Sequence, residues 1–196
     1  MHLVTLSFDD GFKSSSIRTA EIFEKHGLPA CFNVLAGVGR PDFAGHASFK
    51  SDLGDFHLWR ELAARGHEVM PHGYTHANLA TLTFDQARDL VIRTLDVFEG
   101  EMPGFSRGSA VFNFPFNASN TELEAWLPAT VRAFRTWGDA INPLPSPKTV
   151  KLTCVSQGPE SAEEDLDRCV EELLSRPSGW LIYNTHGLDG EGWGPI

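Results

Sequence analysis

Along this chain the spacing of apolar positions switches repeatedly between two periods, and each switch marks a boundary between a strand and a helix. Short β-rich runs at 2–6, 30–35, 67–70, 109–114, 133–137, 149–155 and 180–183 predict seven strands. Helical spacing fills most of the intervals. Ile17, Ala20, Glu21 and Glu24 predict a helix over 17–26, closed by Gly27 and Pro29. Phe56, Trp59, Leu62 and Ala63 fall on one face of a helix over 56–65. Thr83 and Gln86 form a capping box that opens a long helix to about Glu99. Asn120 caps a shorter helix carrying Leu123, Trp126 and Leu127, cut short by Pro128. Ser161 and Glu164 form a second capping box ahead of Leu166, Cys169, Val170 and Leu173. Residues 38–54 and the Pro-rich stretch 142–147 read as loops.

Strands separated by helices imply parallel pairing with right-handed crossovers, so the class is α/β. Seven parallel strands fit a distorted (β/α) barrel short of the usual eight, or an open doubly wound sheet. Polar, chemistry-bearing residues sit at the carboxyl ends of several strands. In a barrel these ends share one rim; in an open sheet the first and last strands can lie far apart. If the residues form one site, the barrel is favoured. Neither an internal repeat nor a linker interrupts the pattern, which predicts one domain over 1–196.

Composition narrows the partners. The net charge of -10 argues against nucleic acid, whose phosphates need a basic footprint, and against anionic membrane surfaces. No apolar run is long enough to span a bilayer. Cys31, Cys154 and Cys169 form no CxxC pair and read as reduced thiols. Strand-like residues begin at His2, leaving no room for a leader before Asp9. The expectation is a cytoplasmic protein as the chain stands, or a secreted one if a leader has been trimmed.

The candidate chemistry begins at Ser7-Phe8-Asp9-Asp10-Gly11 and His72-Gly73-Tyr74-Thr75-His76. A carboxylate and two neutral imidazoles are a common ligand set for a hydrolytic metal. Histidines four apart reach one ion if one helical turn separates them. Taken alone the pair also fits two surface or capping histidines, and Asp-Gly is ordinary turn chemistry. Adjacent carboxylates repel each other. A cation would relieve that, holding Asp10 as ligand and leaving Asp9 as a base. His186, at the end of a buried-looking strand, fits either a functional group or a structural histidine. The glycine-rich run 190–194 past it could line a cleft or simply turn.

The combination, in order and placement, resembles the NodB-homology polysaccharide deacetylases of carbohydrate esterase family 4, over nearly the whole chain. The resemblance implies a distorted seven-stranded (β/α) barrel. It implies Asp9 as catalytic base, Asp10, His72 and His76 as metal ligands, and His186, in Tyr183-Asn184-Thr185-His186, as general acid. It also implies an oxyanion contact from the backbone N–H of Phe116, with Asn113 and Trp137 in the substrate-binding region. The cofactor would be a divalent metal, zinc most simply, with cobalt, nickel or manganese as other choices. The substrate would be an acetylated carbohydrate, N- or O-linked.

Several positions depart from the family pattern. Asn113-Phe114-Pro115-Phe116 stands where the family has Arg-x-Pro-Tyr. This leaves Asp9 without its usual cationic partner unless another arginine, such as Arg107 or Arg135, fills the place. Asn113 can donate a hydrogen bond but carries no charge. Gly73 replaces a Ser or Thr, and the match around Trp137-Gly138-Asp139 is loose. The chain stops where the family adds a closing helix, so a domain shortened at its carboxyl end is expected. Two other readings stand beside this one; the missing arginine and missing leader favour the first, and the retained Asp9, Asp10, His72, His76 and His186 argue against the second. One is hydrolysis of a small cyclic amide or ureide. The other is a carbohydrate-binding member with a degenerate site.

Overall fold

The computed structural model describes residues 1–43, 52–156 and 162–192. Among them are eight strands, seven of which match the sequence expectation in order: β1 (His2–Phe8), β2 (Cys31–Val34), β3 (Glu68–Pro71), β4 (Val111–Asn113), β5 (Ala133–Trp137), β7 (Lys151–Cys154) and β8 (Gly179–Thr185). These seven run parallel wherever they pair. The additional strand, β6 (Ile141–Asn142), lies where a loop was expected and runs antiparallel to β8. Its Asn142 explains it. The side-chain amide donates to Thr153 O at 2.7 Å and accepts from Thr153 N at 2.9 Å, so it pairs with β7 as a peptide group would. No periodicity signals a two-residue strand held by one side chain.

The strands form two sheets, ordered β3-β2-β1-β8-β6 and β4-β5-β7. A parallel bridge between Val155 and Tyr183, with Asn184 N donating to Val155 O at 2.9 Å, joins β7 to the carboxyl end of β8. On the other side β3 lies against β4, but among the described residues no strand ladder joins them. The result is a ring of seven parallel strands with two seams, one closed by a single bridge between β7 and β8 and one, between β3 and β4, with no strand ladder among the described residues. That is the distorted (β/α) barrel, not the open sheet.

Five helices cover the outside: α1 (Lys13–Lys25), α2 (Phe56–Ala64), α3 (Phe84–Glu101), α4 (Thr121–Trp126) and α5 (Ala162–Ser175). In α2, Trp59 and Leu62 are fully buried, with Trp59 packed near Phe32 of β2. In α3, Val91, Leu95 and Phe98 are buried, each worth about 1.5–3 kcal/mol by area removed from water. The Thr83–Gln86 box and the Asn120 cap both form. The Ser161 cap lies outside the described residues, as do Trp193 and Gly194 of the terminal loop.

Helix α1 departs from expectation. It starts at Lys13, four residues early, and buries Ser15, Ser16, Thr19 and Ala20. Glu21 and Glu24 face solvent. The early start has a remote cause: the Glu191 carboxylate accepts from Ser15 N at 3.1 Å and Ser15 Oγ at 2.5 Å, satisfying an amide at the helix start.

Candidate metal centre and active site

The barrel brings the motif residues to the carboxyl ends of β1, β3, β4 and β8. Asp9 follows β1, and its amide donates to Thr185 O at 2.9 Å, which sets it beside the end of β8 and His186. Asp10 then turns the chain at φ 73°, a left-handed conformation. Gly11 continues the turn at φ 80°, and a Cβ there would lie 2.8 Å from Trp59. The turn aims Asp10 across the rim at the loop following β3.

That loop is not helical, contrary to the one-turn geometry expected for His72 and His76. Gly73 sits at φ 88° against Pro115, and His76 at φ 57°. The absence of Ser or Thr at 73 therefore has a backbone reason. Ala36 N and Gly37 N donate to Gly73 O and Tyr74 O, both at 3.0 Å, and the Tyr74 hydroxyl donates to Asp42 at 2.6 Å. So pinned, the two imidazole rings lie 5.3 Å apart.

Asp10 Oδ1 stands 3.4 Å from His72 Nε2 and 3.1 Å from His76 Nε2. All three residues are buried, and their ligand atoms lie within 4.8 Å of one another. Tetrahedral ligation with bonds near 2.0–2.1 Å would set ligand atoms about 3.3 Å apart. The orientation of His72 is more telling than the spacing. Its Nδ1 lies 3.0 Å from the backbone carbonyl of Asn113. A carbonyl oxygen can only accept, so Nδ1 carries the proton and neutral Nε2 presents a lone pair. That lone pair faces Asp10 Oδ1, and both atoms are buried without a hydrogen bond. Two acceptors facing at this distance repel unless a cation lies between them.

Asp9 sits behind the triad, its Oδ2 3.6 Å from His72 Nε2. Arg135 of β5 donates from Nη1 to Asp9 Oδ1 at 3.0 Å and from Nη2 to Oδ2 at 2.5 Å. Asn33 of β2 donates to Asp9 Oδ1 at 2.6 Å, and Ser7 Oγ accepts from both Asn33 and Arg135. Burial alone would raise the Asp9 pKa. The charge of Arg135 outweighs it and holds the carboxyl well below the usual range.

The missing arginine is thus supplied from the neighbouring strand. Asn113 and Arg135 are direct partners in the β4–β5 register, so the guanidinium has moved one strand sideways at the same level. Arg107 instead pairs with Glu99 and Asp96 on the outer surface. The Asn113 side chain does not reach Asp9 as expected; its amide donates to Val111 O at 3.1 Å and Pro71 O at 3.4 Å. Its main chain contributes instead, through His72. Phe116 adopts φ 58° and places its ring 4.5 Å from that of His76, while Trp137 stands 60% exposed at the end of β5. The sequence names Arg135 only as one of two candidates for the missing arginine, and it assigns no role to Asn33 or Ser7. The available signal was a charge and an amide in the middle of apolar strands, where each needs a buried partner.

The family model for polysaccharide deacetylases matches residues 1–136. The chain belongs to this family. Solved structures agree on the fold. One is a family 4 carbohydrate esterase from Streptomyces lividans in complex with acetate, 18% identical, with a TM-score of 0.63 over 96% of this chain and 81% of that one. A peptidoglycan deacetylase of Bacillus subtilis is 18% identical, with a TM-score of 0.56 over 95% and 75%. A putative polysaccharide deacetylase from Mycobacterium smegmatis is 14% identical, with a TM-score of 0.66 over 93% and 76%. No curated protein matches the chain. Family membership and the Asp10/His72/His76 triad together support a metal-dependent, deacetylase-type hydrolase.

Proposed function

We propose that this chain removes acetyl groups from an acetylated carbohydrate, using a divalent cation, most simply zinc, held by Asp10, His72 and His76. The observation that carries the reading is the pair of buried acceptors, His72 Nε2 and Asp10 Oδ1, facing each other at 3.4 Å. When bound, such a cation acidifies water and polarises a carbonyl oxygen. The chain's own groups divide the remaining work. Asp9, kept ionised and oriented by Arg135 and Asn33, takes the proton of the attacking water. The hydroxyl adds to the acetyl carbon as the carbonyl π bond breaks. The backbone N–H of Phe116, next to His76, is the proposed donor to the developing oxyanion. His186 gives a proton to the leaving amine or alkoxide as its bond to the acetyl carbon breaks, releasing acetate. Exposed Trp137 is a proposed sugar contact on the rim. The lack of an arginine at 113 no longer favours a cyclic amide substrate, because Arg135 meets the same need.

The test is acetate release from N-acetylated and O-acetylated sugars, alongside metal analysis of the purified protein. Release is expected to stop on chelation and return with added zinc. Full activity in metal-free protein would overturn the reading.

A further inference from the structure

The other end of the barrel holds a cavity that the hydrolytic site does not use. Its volume is about 530 Å³, within the roughly 300–1,000 Å³ typical of small-molecule pockets. Its lining comes from the early positions of the strands, below the level of Asp9. Thr5, Met70, Val111, Leu152 and Ile182 form the walls. These side chains leave unfilled part of the layer that a barrel normally packs. Trp180 also lines it, with its indole N–H already donated to Thr5 Oγ1 at 2.9 Å.

The roof is polar and includes Ser7, Asn33, Asn113 and Arg135. Arg135 is 1% exposed, and its Nη groups are engaged by Asp9 and Ser7, but its Nε–H has no hydrogen-bond partner. A buried donor on a guanidinium is costly to leave unmade. The charge on this roof is already balanced by Asp9, and burial pushes the nearby Cys31 thiol up to about 12, so it remains neutral. An anion entering here would bury an unmatched negative charge, and exposed Glu68 stands on the same lining.

We propose that the amino-terminal half of the barrel is a second binding site, for an uncharged, mainly apolar small molecule with one hydrogen-bond acceptor at its end. The apolar body fills the layer between Met70, Val111, Leu152 and Ile182, and the acceptor meets Arg135 Nε–H. The site shares Arg135 with the support of Asp9 but does not depend on the proposed acetyl hydrolysis, so its test reads binding alone.

The experiment titrates the full chain with the uncharged fluorescent probe N-phenylnaphthylamine and displaces it with decanol or decanoate. Saturable probe binding is expected, with decanol displacing it and decanoate at least about tenfold weaker. Val111→Trp and Ile182→Phe are expected to abolish binding by filling the space, with circular dichroism and melting temperature retained. Trp180→Phe, a mild change, is expected to reduce energy transfer from tryptophan to bound probe and so locates the probe without a filled variant. No saturable binding overturns the proposal. So does binding unchanged in a folded, filled variant, decanoate displacing as well as decanol, or energy transfer unaffected by Trp180→Phe.

Discussion

Arg135 carries a full charge at 1% exposure, and its partner Asp9 is buried at 3%. Removing one member of such a pair leaves the other uncompensated, at a cost of about 3–5 kcal/mol. Arg135→Gln is therefore expected to lower stability by that order in chemical denaturation. Turnover should fall about 100-fold or more, as for loss of an oriented base. Because Asn113 and Arg135 are register partners, the double variant Asn113→Arg/Arg135→Asn should recover part of both losses. A double variant no better than Arg135→Gln would show that the guanidinium must come from β5. At the triad, His76→Ala should reduce bound metal, read by atomic emission, while leaving the Asp9–Arg135 pair intact. The motif residues were legible because they lie in short contiguous segments whose residue types name their chemistry. Arg135 was left as a question because its role depends on strand register, which the residues around it do not encode.

Among the elements, the turn after β8 and the start of α1 depend on each other. Ser15 Oγ donates to Glu191 and accepts from Leu188 N at 2.9 Å, so the segment carrying His186 is fastened to the helix that follows Asp9-Asp10. A Cβ at Gly187 would lie 2.8 Å from Ser15 Oγ, showing how closely the two approach. Glu191→Ala is expected to cost about 1 kcal/mol, as loss of a helix cap does, and to reduce turnover by loosening His186. Thr83→Ala, which removes the cap of α3 on the outer surface, should cost about the same in stability with turnover unchanged. Equal turnover in the two variants would separate Glu191 from the chemistry. Local pattern placed most helices because their caps and apolar faces are close in sequence. It misplaced the start of α1 because that cap arrives from 176 residues away.

Across the whole molecule, ion pairs join elements that the barrel brings together. Glu24 on α1 accepts from Arg65 Nε at 2.8 Å and Nη2 at 3.0 Å, beyond the end of α2, and lies 3.1 Å from His67 Nε2 ahead of β3. His67 Nδ1 accepts from Ala30 N, so its Nε2 carries the proton and donates to Glu24. Hydrogen bonding from Arg65 lowers the Glu24 pKa from 4.5 to about 2. A carboxyl lowered on folding stabilises fully above its unfolded pKa, and that contribution is lost as pH falls through the folded value. Asp9 shifts in the same direction. Urea midpoints should therefore decline from about pH 4.5 downward, and Glu24→Gln should flatten that decline. The seven-strand parallel order was readable from alternating periods. The division into two sheets was not, because it turns on which neighbours fail to pair.

That failure gives the β3–β4 boundary a particular character. Elsewhere the ring is joined by backbone pairing, ladders within each sheet and a bridge between β7 and β8, but here the imidazole of His72 reaches across to the carbonyl of Asn113, and the Asn113 amide reaches back to Pro71 O. The barrel's weakest circumferential joint therefore runs through a proposed metal ligand. Loading a cation would tighten a joint as well as equip a reaction. Amide hydrogen exchange along β3 and β4 should slow on metal addition more than along β1 and β8, making the breathing of the barrel wall a gauge of what the site holds.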